Sequence, residues 1–196
     1  MPTIIECITQ AEAKGAELKK QAAARAKEIT DDAEARRGKT IKEAHDAGRA
    51  MIQRAKDEAE KQGAALAAEL LKDHEYETLN LTDYTIGAYG QNLPGDGLDT
   101  VIGAMKQADT IVIGSPLYWH NICGSVRNVL DRFYGKVEDG ELSGRKLYFV
   151  FQGAAPEKWM LEAGEYTMKR FAALYGMAYG GMVTNKAEAV QLNKEV

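Results

Sequence analysis

The residues best suited to chemistry stand together in one stretch, Thr110–Arg132, which reads TIVIGSPLYWHNICGSVRNVLDR. Thr110–Gly114 is an all-apolar run between turn residues, the pattern of a buried strand. Ser115-Pro116 is expected to turn the chain. Leu117, Tyr118 and Trp119 follow at once, and Asn121, Ile122 and Gly124 lead into a helix. A flat redox ring needs such a surface, with apolar and aromatic walls to stack on and backbone N–H groups aimed at its polar edge. A helix start also offers donors to anionic groups. The same aromatics would equally suit a core or an interface between chains. Elsewhere chemistry is sparse. His45, His74 and His120 are scattered, and Cys7 and Cys123 lie far apart, so no metal cluster, disulfide framework, Ser/His/Asp arrangement or carboxylate pair is readable. Hydride transfer through a bound ring needs no side-chain acid or base at fixed spacing.

The elements around this stretch alternate. Gly63–Lys72 reads as helix, Tyr76–Leu81 (YETLNL) as a strand, and Leu98–Ala108 as a helix with Val101, Ile102 and Met105 on one face. After the Thr110–Gly114 strand, Ile122–Tyr134 is amphipathic through Val126, Val129, Leu130 and Phe133. Lys146–Phe151 (KLYFVF) is a second buried strand, Glu157–Tyr175 a helix, Met177–Val183 a last strand, and the tail is polar. Alternation of this kind predicts a parallel sheet with helices on both faces. Ligands then bind beyond the carboxyl ends of the strands, where the loops Thr82–Gly97, Ser115–Gly124 and Gln152–Glu157 lie.

The first third of the chain has a different character. No aromatic residue precedes Tyr76, and up to about Gln62 the sequence is mostly Ala, Glu, Lys, Arg and Asp. Apolar or small residues recur from Ile4 and Ile8 through Leu18, Ile29, Ile41 and Ile52 to Leu66 and Leu70, with Arg37 as the one interruption. The spacing is about 3.67 residues, the eleven-residue period that favours a right-handed supercoil. Asp32/Arg36 and Asp57/Lys61 sit four apart with the acid first, as a solvated helix prefers. One helix of about 100 Å is expected, coiled-coil-like over 1–62 and pairing with a second copy or another chain. A solvated single helix, or a partly disordered charged segment, is the plain alternative. The sequence predicts a boundary near residue 62, with 63–196 forming the second domain. A net charge of −4 argues against nucleic acid as the main partner. No apolar run is long enough to span a bilayer, and a reduced, cytoplasmic protein is expected from the cysteine usage.

SPLYWHNICGSVRNVLDR resembles the SPxYWxNxSGxLKxxxDR segment of flavodoxin-like NAD(P)H-dependent FMN oxidoreductases. Gly63–Tyr84, Lys146–Pro156 and Met177–Val183 resemble that family's first helix and second strand, its fourth strand and loop, and its last strand. The likeness covers about residues 63–186. It implies a flavodoxin-like α/β fold, FMN as cofactor and NAD(P)H as substrate. It also implies a quinone or other small electron acceptor, and a homodimer. The flavin ring would be held by Ser115, Pro116, Leu117, Tyr118, Trp119, Asn121, Ile122 and Gly124, with Gln152, Gly153 and Ala154 on its other side and Tyr89 lining the pocket. The chain departs from the family at its start. No GSPRxxGNT-type phosphate loop precedes Gly63, so FMN binding is expected to be impaired by several kcal/mol, at about 1.5–3 per charge-assisted hydrogen bond. The long helix would replace the first βα unit as a fusion. Alternatively, Thr3–Cys7 (TIIEC) returns as the missing strand, or a partner chain supplies it. Where relatives carry CxxC, this chain has Ala88 and Gln91, which removes an iron–sulfur role there. Residues 1–62 resemble, by period and composition, the peripheral-stalk subunits of archaeal/vacuolar rotary ATPases. A non-catalytic coiled-coil or stalk protein with a degenerate flavodoxin-like domain is therefore the competing expectation.

Overall fold

The first helix begins on a reciprocal cap. The Thr3 amide donates to the Glu6 carboxylate at 2.7 Å and the Glu6 amide donates to Thr3 Oγ1 at 3.4 Å, which satisfies donors that a helix start leaves open. This device makes Ile4–Cys7 the first turn of a helix, so TIIEC does not return as a strand. The computed structural model describes residues 3–91 and 93–196. Asn92, part of the expected Thr82–Gly97 loop, lies outside them. Helix α1 runs Ile4–Leu70 without a break, although Gly15, Gly38, Gly48 and Gly63 each weaken it by about 1 kcal/mol relative to Ala. Local pairs such as Arg36–Asp32 at 2.6 Å return a few tenths of a kcal/mol.

The chain divides into two compact units, one ending at Arg54 and one running Ala55–Val196. In the first, the apolar stripe is open to solvent: Ile4, Ile8, Leu18, Ile29, Ile41 and Ile52 are all exposed.

The second unit contains α2 (Leu98–Gln107), β1 (Thr110–Tyr118), β2 (Asn121–Ile122), α3 (Gly124–Phe133), β3 (Lys146–Gln152), α4 (Lys158–Leu174), β4 (Ala178–Val183) and α5 (Lys186–Leu192). The sheet order is β2-β1-β3-β4. β1, β3 and β4 are parallel, whereas β2 folds back antiparallel on the end of β1. The sheet is therefore mixed, not wholly parallel, because a two-residue turn can join only antiparallel strands.

Alternation along β3 fills both faces. Leu147, Phe149 and Phe151 meet the apolar sides of α2, α3 and α4. Tyr148 and Val150 meet Leu66 and Leu70 at the end of α1, Val183, and Ala189 of α5. Two glycines allow this fit. A Cβ on Gly164 would lie 2.5 Å from the Phe151 ring, and one on Gly180 would lie 2.4 Å from the Tyr148 ring. The tail expected to be merely polar forms α5, capped by Asn185 accepting from the Glu188 amide at 3.1 Å. Asn193 Nδ2 donates to the Leu70 carbonyl at 2.9 Å, which ties the C-terminus to the end of α1.

Tyr76–Leu81 is not a strand. It is extended coil ending in a 3-10 turn at Leu81–Asp83. The described residues before Leu98 contain no strand at all. A strand needs a ladder, and among the described residues this segment has no ladder partner. For the same reason β1 is an edge over most of its length. Opposite β3 it has a partner only at Leu117 and Tyr118. Val112 and Ile113 are half-buried and Gly114 is exposed, against a fully buried Leu147–Phe151 in β3.

Candidate functional site

Ser115-Pro116 does not turn the chain. β1 continues through both residues to Tyr118, and the reversal falls at Trp119-His120. Ser115 is buried, and its hydroxyl accepts from the Cys123 amide at 2.9 Å and donates to the Pro116 carbonyl at 2.9 Å. This staple fixes the last residues of β1 against the start of α3. Between them Leu117 pairs with Ile122 and Tyr118 with Asn121.

The two turn residues have φ of +47° (Trp119) and +64° (His120). A two-residue hairpin of this hand demands positive φ at both positions and is normally filled by Asn-Gly or Asp-Gly. A bulky side chain there is an outlier, and such strain concentrates at functional sites. The turn holds Trp119 almost wholly in solvent, 95% exposed.

Tyr118 is partly exposed, and Lys56 Nζ lies 6.0 Å from its ring centroid. Burial, with a smaller push from the Glu60 carboxylate, raises the Tyr118 phenol above its ordinary pKa. Asn121 Oδ1 accepts from the Ile122 amide at 2.8 Å, which stiffens the return strand, and Ile122 is buried beneath it. Gly124 opens α3 with open space around its α-carbon.

Pro116 and Gln152 are partners in the β1–β3 ladder, so the loop after β3 emerges beside the hairpin. Gly153 is required there, because a Cβ would stand 2.9 Å from Leu117 Cβ. Ala154 is exposed at the same edge. The Gln152 side chain donates to the Thr184 carbonyl and so is committed to the β4 side. Tyr89 stands apart. Its ring packs edge-on to Tyr134, 6.4 Å between centroids, at the end of α3 remote from the hairpin. There it borders an open groove of about 420 Å³ with Leu130, Phe171 and Tyr175.

Three contacts, two at Trp159 and the Asp96–Arg132 pair, escape a reading of the sequence, whereas Asp96 at the start of α2 could be read from it. Trp159, on the first turn of α4, sets its ring edge-to-face with His120 at 5.1 Å. Its indole N–H donates to Glu157 Oε2 at 3.0 Å. Asp96 caps α2 by accepting from the Leu98 amide at 3.0 Å, and it also pairs with Arg132 of α3. The Leu98 hydrogen bond first, then Arg132, holds the Asp96 carboxyl below the usual carboxylate range. The indole just beyond the β3 loop was the one available signal for Trp159.

A flavin nucleotide would find half a site in this chain. On the ring side the chain offers a stapled hairpin, the exposed aromatic Trp119 beside Tyr118, and a close approach of the β3 loop that Gly153 permits. The phosphate side does not fit. Where a phosphate loop would precede Gly63, α1 runs unbroken and its amides are spent on intrahelical carbonyls. Among the described residues no group of three or more His, Cys, Asp or Glu could hold a metal ion. No helix among them is long and apolar enough to cross a membrane.

Residues 44–188 match the sequence profile of the family described as NADPH-dependent FMN reductase. A curated protein, the iron-sulfur flavoprotein of Archaeoglobus fulgidus, is 37% identical over 67 residues, which cover 30% of this chain and 33% of that protein. The match thus spans a third of that relative's length. Two solved structures share the fold. The Trp repressor binding protein from Bacillus subtilis has a TM-score of 0.54 at 18% identity over 65% of this chain and 90% of that one. A flavone reductase has a TM-score of 0.56 at 16% identity over 68% of this chain and 57% of that one.

Proposed function

This chain belongs to the family of NADPH-dependent FMN reductases, and on that premise we propose that it is an FMN-dependent NAD(P)H oxidoreductase acting on a small-molecule acceptor. The observation that carries the reading is the strained, stapled hairpin Leu117–Ile122, which presents aromatic surface at the carboxyl end of the sheet. Tyr118, Trp119, Asn121 and Ile122 would hold the flavin ring on one side, with Gly153 and Ala154 facing it from the β3 loop. Bound there, the flavin would supply two-electron transfer between the nicotinamide and the acceptor. The protein's part is positional. Ser115 ties the end of β1 to the start of α3, Gly153 lets the second loop close on Leu117, and Gly124 admits close approach to the start of α3. With only Cys7 and Cys123 in the chain, a four-cysteine iron–sulfur cluster has no ligand set. NADPH oxidation by purified protein supplied with excess FMN and a quinone tests the reading. Turnover no faster than that of free FMN would overturn it.

A second reading attaches to the first unit, and the exposed isoleucine stripe favours it. We propose that residues 1–62 pair with the same segment of a second copy, as a coiled coil. The protein would then be a homodimer, and the free cysteines suit a cytoplasmic setting. Sedimentation equilibrium decides between this and a single solvated helix: a monomer at all concentrations rejects the pairing.

A further inference from the structure

The chain has only two tryptophans, Trp119 and Trp159, and the fold brings both to the same edge of the sheet. Trp119 sits on the hairpin at the end of β1, and Trp159 follows the end of β3. The parallel β1–β3 register sets those two ends side by side. His120 links them, adjacent to Trp119 in the chain and 5.1 Å from the Trp159 ring. Glu157 holds the indole by accepting from its N–H at 3.0 Å. Trp159 nevertheless leaves 49% of its surface in solvent, and Trp119 leaves 95%. Two exposed indoles, one of them held by His120 and Glu157, offer flat apolar area beside polar groups, a surface on which planar ligands stack.

We propose that Trp159, oriented by His120 and Glu157, is a specificity residue that stacks a flat, conjugated electron acceptor, a quinone, beside the Trp119 hairpin. The proposal rests on the oxidoreductase reading for its chemistry, and nothing above assigns Trp159 a role. The overall step balances without a further reactant. NADPH is oxidised to NADP⁺, and the quinone gains the hydride equivalent and one solvent proton to become the hydroquinone. An acceptor without a planar ring would gain nothing from the indole.

The test uses the full chain and menadione as probe. In a Trp119→Phe background, Trp159 is the only tryptophan, so its fluorescence reports on this position alone. Saturable quenching by menadione is expected, unlike the linear quenching of N-acetyltryptophanamide. Linear quenching at the slope of that free analogue overturns the proposal. This readout needs neither NADPH nor FMN, so it stands even where the oxidoreductase reading fails. In turnover with excess FMN, Trp159→Ala is expected to raise KM for menadione about three- to tenfold with kcat held, and Trp159→Phe to restore it. Equal loss in the Ala and Phe variants, or a change in kcat alone, also overturns it.

Discussion

Removing the phosphate from the flavin should scarcely change its affinity for this protein. A phosphate loop that makes about three charge-assisted hydrogen bonds, at about 1.5–3 kcal/mol each, contributes about 4.5–9 kcal/mol. At about 1.4 kcal/mol per tenfold, riboflavin would then bind about a thousand- to a million-fold more weakly than FMN. Here the stretch before Gly63 lies in helix α1 (Ile4–Leu70), with its amides bonded internally. The cation identified beside the hairpin is Lys56, with Glu60 one helical turn away to oppose it. An exposed ammonium is worth about 0.2–1 kcal/mol to a phosphate, a factor of about five at most. FMN and riboflavin should therefore bind within about fivefold of one another, both by the ring alone. Flavin-fluorescence titration at matched ionic strength, backed by calorimetry, measures the ratio. FMN binding more than about a hundredfold tighter than riboflavin, or yellow protein with stoichiometric FMN after dialysis, would refute the reasoning.

Replacing Trp119-His120 by Asn-Gly should relieve the turn and stabilise the protein by about 1–3 kcal/mol, while weakening flavin and quinone binding; urea titration and ligand titration of the same variant show both effects. Gly164→Ala drives a Cβ to 2.5 Å from the buried Phe151 ring and should destabilise by about 1–3 kcal/mol from overpacking, despite alanine's better helix propensity; the urea midpoint checks it. Gly153→Ala, with its Cβ 2.9 Å from Leu117 Cβ, should push the β3 loop off the hairpin and weaken ring binding with little loss of melting temperature. Asp96 has a depressed carboxyl, so its contribution is present above the ordinary carboxylate pKa of about 3.9 and disappears as pH falls through its lower folded value. Asp96→Asn should lower stability at neutral pH by about 1–3 kcal/mol and flatten its acid dependence, as melts between neutrality and strong acid would show.

Much of the architecture was legible because apolar period and burial agree. KLYFVF had to be buried on both faces, and it is the central strand; the stripe of α1 foretold an unbroken helix despite four glycines. Tyr76–Leu81 misled for a physical reason, since alternation reports that a segment can pair and not that a partner exists. The hairpin misled differently. Its turn residues, Trp and His, are among the last that a two-residue turn would choose, so local chemistry pointed to Ser115-Pro116. The ring loop could be found as a stretch but not as a shape. Trp159 could not be joined to His120, because their contact depends on a ladder between strands some thirty-five residues apart along the chain.

The open side of β1 bears on how this protein can be handled. From Thr110 to Pro116 the strand has ladder partners on the β3 side alone among the described residues, and Pro116 at its end is the one residue there of the lysine and proline kind that usually blunts such a border. Two molecules that meet along it can extend one another's sheets without unfolding. Growth of that kind depends on how often molecules collide, so it would rise with protein concentration.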